Sequence, residues 1–278
     1  MTVPPVGYKS SLAYLIWRWL LRNKGQSVSE LDAYFFGPSR GFNDYEALAT
    51  TYNESGVKPD KLYSILPTVL GLVGNCLGKV VFDFGCGTGY FTVPIAELGA
   101  IRVYGIDNSK AQLTLAVQNT AHPSVVYALS DFFVDRIPHA DIMVAPFVAN
   151  YARTTPILQN FFRKAFKALR PQGKIVLVVD LPNGKELRRF GATKKLLGPP
   201  TDEEIIEIKL FREEREICKL LAVYYTGRTI ERLLSEAGFR NIVWHRPVIS
   251  DDGIKTLGQE FWQSYLDDPE LGYLTAQK

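Results

Sequence analysis

The stretch KVVFDFGCGTGYFTVPIAELGAIRVYGIDNS, residues 79–109, constrains the fold of this chain more than any other part of it. Residues 80–84 are a short apolar run rich in β-formers. A glycine-rich turn follows, residues 90–98 read as a helix, and 101–106 form a second apolar run that ends at Asp107. Strand, glycine turn, helix, strand is a βαβ unit, which builds parallel sheets covered by helices. The glycine spacing narrows the ligand. Gly85, Gly87 and Gly89 give G-x-G-x-G, not the G-x-G-x-x-G of dinucleotide sites. Glycine lets a backbone turn sharply and come close to a ligand, because no Cβ intervenes. The N-terminus of the following helix favours a negative group such as a carboxylate. Asp107, at the end of the second strand, is placed to accept hydrogen bonds from two ribose hydroxyls.

The chain has 278 residues, enough for one large domain or two small ones. A net charge of +3 without a dense Lys/Arg block excludes a nucleic-acid partner as the simple reading. Cys76, Cys86 and Cys218 are scattered, so they form neither a disulfide framework nor a metal site, and no other metal constellation is present. A reducing, cytoplasmic setting follows. Cys86 reads as a small filler in the turn, since no base or second thiol stands beside it.

At the other end, YKSSLAYLIWRWLLRN, residues 8–23, is apolar, aromatic and basic. Arg18 interrupts its apolar run, which is about half the ~20 residues a bilayer requires, so neither a signal peptide nor a membrane span is expected. On a helix it is apolar most of the way round, which implies burial on more than one side. Two arrangements fit: a lid that brings Tyr8 or Trp19 to a substrate pocket, or a helix exchanged with a neighbouring chain in a homo-oligomer. The second is favoured, because one domain surface covers only one face.

The motifs resemble those of the class I S-adenosylmethionine-dependent methyltransferases. FDFGCGTG, 82–89, is similar to the family's first motif and VYGIDNS, 103–109, to its second. ALSDFF, 128–133, resembles the segment that reads the adenine, ADIMVAPFVANYA, 140–152, the fourth strand and the loop beside the reacting methyl, and LRPQGKIVLVVD, 169–180, the fifth strand. YEALATTYNES, 45–55, resembles the cap of many small-molecule members. The resemblance covers roughly residues 42–265. It implies an α/β, Rossmann-like seven-stranded sheet with an N-terminal helical extension, 1–41, and a methyltransferase domain, 42–278, carrying cap elements at 42–58 and 181–226. An antiparallel β addition is expected towards the C-terminus. It also implies S-adenosylmethionine as cofactor, S-adenosylhomocysteine as product and no metal. Cofactor contacts are then expected from Tyr45, Tyr52, Asp83, Gly85, Gly87, Thr88, Gly89, Asp107, Asn108, Ser109, Gln112, Asp131, Phe132 and Pro146.

Beyond residue 180 the pattern changes. Residues 203–211 and 216–225 read as an antiparallel hairpin, with a helix as the alternative for the first run. Residues 226–238 read as a helix, FRNIVWHRPVI as the last long strand, and 252–266 as partly helical. Methyl transfer is an in-line displacement whose main requirement is position. The fourth-motif region, Ala145-Pro146-Phe147-Val148, lacks the acidic or amide residue with Pro-Pro of amino-methylating nucleic-acid enzymes. Aromatic residues outnumber bases among the candidate pocket segments: Tyr8, Trp19, Phe36, Phe147, Tyr151 and Trp262 are expected to line a substrate pocket, and Tyr8, Phe147, Tyr151 and His245 are the catalytic candidates. Aromatic faces stabilise a cation by up to ~2 kcal/mol each when desolvated. The aromatic N-terminal extension ahead of GFNDYEALATTYNES, 41–55, with VANYA, 148–152, after the fourth strand, is similar to that of terpenoid-tailoring C-methyltransferases of indole alkaloid pathways. The resemblance implies methylation of a prenyl-type double bond followed by cation-driven cyclisation. An O- or N-methyltransferase of a small aromatic metabolite, using His245 or a tyrosine as base, and an inert methyltransferase-like binding protein remain the alternatives.

Overall fold

The computed structural model describes residues 43, 45, 48, 56, 58–130, 139–184, 187–212 and 215–278, all within one compact unit, Phe42–Lys278. The expectations for the 8–23 helix, with Tyr8 and Trp19, and for Phe36, Tyr52, Asp131 and Phe132 lie outside the described residues.

The βαβ reading of 79–109 holds. β1, Val80–Phe84, is buried along four of its five residues, and β2, Arg102–Asp107, pairs with it in parallel. The helix between them, α2, is shorter than expected at Thr92–Glu97, because residues 90 and 91 remain in the turn. It follows α1, Leu66–Val73, which enters through a wide π-type turn, Lys61–Ile65. α3, Lys110–Asn119, leads to β3, Val125–Leu129, and β4 is Ala140–Pro146. α4, Thr155–Ala168, leads into a long β5, Leu169–Asp180. Beyond β5 come β6 (Ala192–Leu196), β7 (Glu204–Arg212), β8 (Arg215–Tyr224), α5 (Gly227–Ala237) and β9 (Arg240–His245). Two short helices, α6 (Asp251–Leu257) and α7 (Gln259–Asp267), precede β10, Leu271–Gln277.

Seven strands form one sheet in the order β3-β2-β1-β4-β5-β10-β9. β10 is antiparallel to both neighbours. The expected last strand is therefore the last but one. β9 is the edge, and β10 is inserted between it and β5. Phe82, Phe84, Leu177 and Val179 face a core that includes Phe161 and Phe162 of α4 and Leu233 and Leu234 of α5. Val81, Val144, Val176 and Val178 face the opposite core with Val69 and Val73 of α1 and Ile95 of α2. Helices on both faces keep the central strands dry, which is why they are continuous apolar runs rather than alternating ones.

β6, β7 and β8 form a separate antiparallel sheet. The expected hairpin is its β7–β8 half, and β6 is an additional strand. One face of this sheet carries Ile206, Ile208, Leu210, Leu220 and Ala222, with Tyr45 and Leu48 packed on it. The other presents charged pairs, including Lys209 to Glu216 at 3.0 Å. Asn150 joins the two sheets. Its side-chain N–H donates to the Val223 carbonyl of β8 at 2.8 Å, and its Oδ1 accepts from the backbone N–H of Asp180 at the end of β5 at 2.9 Å.

Candidate active site

The glycine turn is built by hydrogen bonds converging from β2. The Gly87 N–H donates to Asp107 Oδ2 at 2.8 Å, the Ser109 N–H donates to Asp107 Oδ1 at 2.9 Å, and the Cys86 N–H donates to the Ile106 carbonyl at 3.1 Å. Asp107 is thus an organiser of the turn as well as a candidate ligand contact. Asn108 is exposed beside it.

The three glycines serve different purposes. All have positive φ, at +64°, +53° and +84°. A Cβ on Gly87 would meet nothing nearer than Gln112 Oε1 at 3.9 Å, so its outer side is open to a ligand. A Cβ on Gly85 would stand 2.8 Å from Val148 Cγ2, and one on Gly89 would stand 2.2 Å from the Tyr127 hydroxyl and 2.5 Å from Thr120 Oγ1. Gly85 and Gly89 are therefore required by the protein's own packing. The Tyr127 and Thr120 hydroxyls are hydrogen-bonded at 2.6 Å and close the back of the turn, and Thr120 also bonds the Thr88 carbonyl at 3.4 Å. Replacing Gly89 with alanine combines an unfavourable φ with a clash. We expect a loss of about 2–4 kcal/mol, read as a lowered Tm in thermal denaturation.

Beneath the turn lies Asp83, with no solvent exposure. Its Oδ2 accepts from the Thr92 hydroxyl at the start of α2 at 2.6 Å, while Oδ1 has no hydrogen-bond partner among the described residues. Burial drives its pKa up to about 7. The Thr92 hydrogen bond opposes the rise, and the neighbouring Asp107 charge adds to it. Burial also pushes the Cys86 thiol far up, helped by Asp83 and Asp107, and Cys86 is 4% exposed. It is the filler the sequence implies, not a nucleophile. Ser109 caps α3, accepting from the Gln112 N–H at 3.2 Å. Gln112 is buried, and its Oε1 has no hydrogen-bond partner among the described residues.

The loop after β4 forms the facing wall. Pro146 is buried and pairs with Val178. Phe147 has φ +66° and is held there by its N–H, which donates to the Val178 carbonyl at 2.7 Å. A bulky residue in the left-handed region is strained, and such positions cluster at functional sites. Tyr151 closes a short helical turn, Ala149–Tyr151. Its hydroxyl is hydrogen-bonded to that of Tyr45, and the two rings meet edge to face with centroids 5.9 Å apart. The structure thus joins two residues that the sequence placed in separate lists.

Other candidates lie elsewhere. Trp262 is 1% exposed, donates its indole N–H to the Gly253 carbonyl at 3.0 Å, and stacks on Phe190 with Tyr265 alongside. It belongs to a packed aromatic cluster. His245 sits on β9 and bonds Thr275 Oγ1 of β10 at 2.8 Å. It is three strands from β4 in the sheet order, or about 14 Å at ~4.8 Å per strand. Burial and the Lys174 charge hold its pKa below the ordinary value. His122 Nδ1 accepts from the Ser124 N–H, and His139 Nδ1 lies 3.2 Å from the Ala168 carbonyl. Among the described residues there is no group of three His, Cys, Asp or Glu able to hold a metal, and no helix long and apolar enough to cross a membrane.

The fold is the Rossmann-like architecture of methyltransferases, with a seven-stranded mixed sheet and a separate antiparallel sheet. Residues 81–173 match the model of a family described as a methyltransferase domain. A methyltransferase from Mesorhizobium loti, described as S-adenosylmethionine-dependent, superposes with a TM-score of 0.56 at 18% identity, covering 79% of this chain and 98% of its own. The CcbJ methyltransferase from Streptomyces caelestis superposes with a TM-score of 0.55 at 18% identity over 82% of this chain and 95% of its own. A ribosomal protein L11 methyltransferase from Aliivibrio salmonicida is 36% identical over 75 residues, which is 26% of each chain. The chain spans less than half the length of the curated relatives it matches.

Proposed function

We propose that this protein is an S-adenosylmethionine-dependent methyltransferase acting on a small, largely apolar molecule. The observation that carries the first half is the tie between Asp107 and the open Gly87. It places a carboxylate beside backbone that a ligand can approach. The residues present fit the cofactor's charges. It carries an ammonium and a sulfonium, and the unpaired Oδ1 of Asp83 supplies negative charge under the turn where a cation would lie. Asp107 would hold the ribose hydroxyls, and the cofactor supplies an electrophilic methyl group.

The second sheet supports this reading of the acceptor. Tyr45 packs on its aliphatic face and bonds Tyr151 in the turn after β4, and ligands of open α/β sheets bind beyond the carboxyl ends of the strands. All three histidines are engaged in hydrogen bonds, and none of these bonds is with the glycine turn or the loop after β4. A reaction that begins without a base suits this lining. When bound, the cofactor would supply its methyl group to an alkene carbon of the acceptor, which would be left as a carbocation. Phe147 and Tyr151 offer ring faces to that cation, and ring closure consumes it, with loss of a proton. Prenylated indoles of the teleocidin type are the best candidate class, with the protein working as a soluble cytoplasmic enzyme. The ribosomal-protein substrate of some relatives is a weaker reading, because the likeness to them is confined to a fraction of either chain.

The test is incubation with labelled cofactor and a panel of prenylated indoles, phenols and amines, read by mass spectrometry. The expected product carries one methyl and one ring more than a prenylated indole. A methyl ether or methyl amine alone would show the O- or N-methylating alternative, for which the Tyr45–Tyr151 pair would furnish the base. Absence of cofactor binding in calorimetry would leave only an inert binding protein.

A further inference from the structure

A lysine stands on the aliphatic face of the second sheet. Lys194 of β6 is in register with Ile208, which is in register with Leu220, so the three share that face. Its ammonium lies 2.8 Å from Asp180 Oδ1 at the carboxyl end of β5, and the two side chains are 10% and 3% exposed. Asp180 is tied through its backbone to Asn150, one residue before Tyr151. The ion pair therefore sits beside the turn that carries Tyr151.

Its bonding is incomplete. An ammonium has three N–H donors, and among the described residues Asp180 is the side chain Lys194 pairs with. Among the described residues, Asp180 Oδ1 has no other hydrogen-bond donor. Two more buried carboxyls, Asp60 and Glu270, lie close enough to feel the Lys194 charge. A buried ion pair with unfilled bonding capacity is a poor device for stability, since an apolar pair of similar volume commonly does as well or better. It is a good device for recognition, because a partner lacking the matching groups leaves buried polar atoms unsatisfied.

Building on the methyltransferase reading, we propose that Lys194 and Asp180 anchor an uncharged donor–acceptor group of the acceptor, an amide or a hydroxyl, and so determine which apolar molecules are methylated. The ammonium donates to the group's oxygen, and the carboxylate accepts its N–H or O–H. The pair is selective by sign as well. An acceptor carboxylate would meet Asp180, Asp60 and Glu270, and an acceptor ammonium would find the cation position already filled by Lys194.

The experiment uses four prenylated indoles that differ in one side chain: acetamide, its methyl ester, the free acid and an aminoethyl group. For the wild-type protein kcat/KM should be highest for the amide, about tenfold lower for the ester, which lacks the donor, and lower again for the two charged compounds. Lys194→Met should raise KM for the amide about tenfold and bring the amide-to-ester ratio towards one, while Lys194→Arg keeps part of the preference. Cofactor affinity by calorimetry should stay within about twofold. If Lys194→Met does not fold, Lys194→Gln is read in the same way. A wild-type protein that treats amide and ester alike, or a Lys194 variant that keeps the preference, overturns the assignment even though methyl transfer is intact. Failure to bind cofactor or to label any of the four overturns the methyltransferase reading itself, and the assignment with it.

Discussion

Asp83→Asn is expected to make the protein more stable at pH 8 and a poorer binder of S-adenosylmethionine. Burial raises the Asp83 carboxyl from its ordinary 3.8 to about 7. A raised carboxyl means that the folded chain holds a proton the unfolded chain has already released. Stability contributed by this group therefore falls as pH rises from about 4 to about 7, and is constant above that. Asparagine keeps an acceptor for the Thr92 hydroxyl and removes the buried charge. The expected gain is on the order of 2 kcal/mol at pH 8, or a rise of roughly 5 °C in Tm, and almost nothing at pH 4.5. Binding moves the other way. A cationic ligand favours the ionised form, so wild-type affinity should climb with pH up to about 7 and level off, with proton release visible in calorimetry in different buffers. The variant should bind more weakly, and without that slope. A variant as pH-dependent as the wild type would disconnect Asp83 from the cofactor. Stability given up at a site to keep a charge where a ligand will meet it is a common trade.

Asp107→Ala should cost still more affinity. The substitution removes two expected hydroxyl contacts, each worth about 1.5–3 kcal/mol because the acceptor is charged. It also strips the Gly87 and Ser109 N–H groups of their acceptor. Affinity should fall at least about a hundredfold in calorimetry, together with a lower Tm in the absence of ligand. Asp107→Asn keeps one acceptor oxygen but turns an amide N–H towards a backbone N–H, so it should recover only part of the loss. An alanine variant that binds normally would show that the carboxylate serves the turn alone.

The cofactor half of this site was legible in the sequence because its residues are close along the chain and each has a conformational reason to be what it is. Asp83, the three glycines and Asp107 span 25 positions, and their spacing carries the turn. What lies behind the turn was not legible. Tyr127 and Thr120 decide Gly89, and Val148 decides Gly85, yet nothing in their neighbourhood marks them. The acceptor side was harder still. Asn150, Asp180 and Lys194 come from a loop, a strand end and a strand of another sheet, and they meet only in three dimensions. β6, ATKKL, was hidden by its own lysines, one of which belongs to the ion pair. β10, LGYLTAQ, is buried on both faces and has no alternation to announce it. His245 and Trp262 were plausible by residue type, and hydrogen bonding and packing place them elsewhere.

The position of β10 has a consequence for how the molecule comes together. β1 to β5 pair with one another in parallel, and all precede residue 181, so that half can assemble while later segments are still being made. β9 has no place in the sheet until β10 arrives, because β10 lies between it and β5. Until then β5 presents a bare hydrophobic edge of the kind that invites pairing with another chain. The interval between synthesis of β5 and β10 is thus the period of greatest exposure to misassembly. The aliphatic second sheet, made within the same interval and tied to β5 through Asn150, is the element at hand to shield the unfinished end.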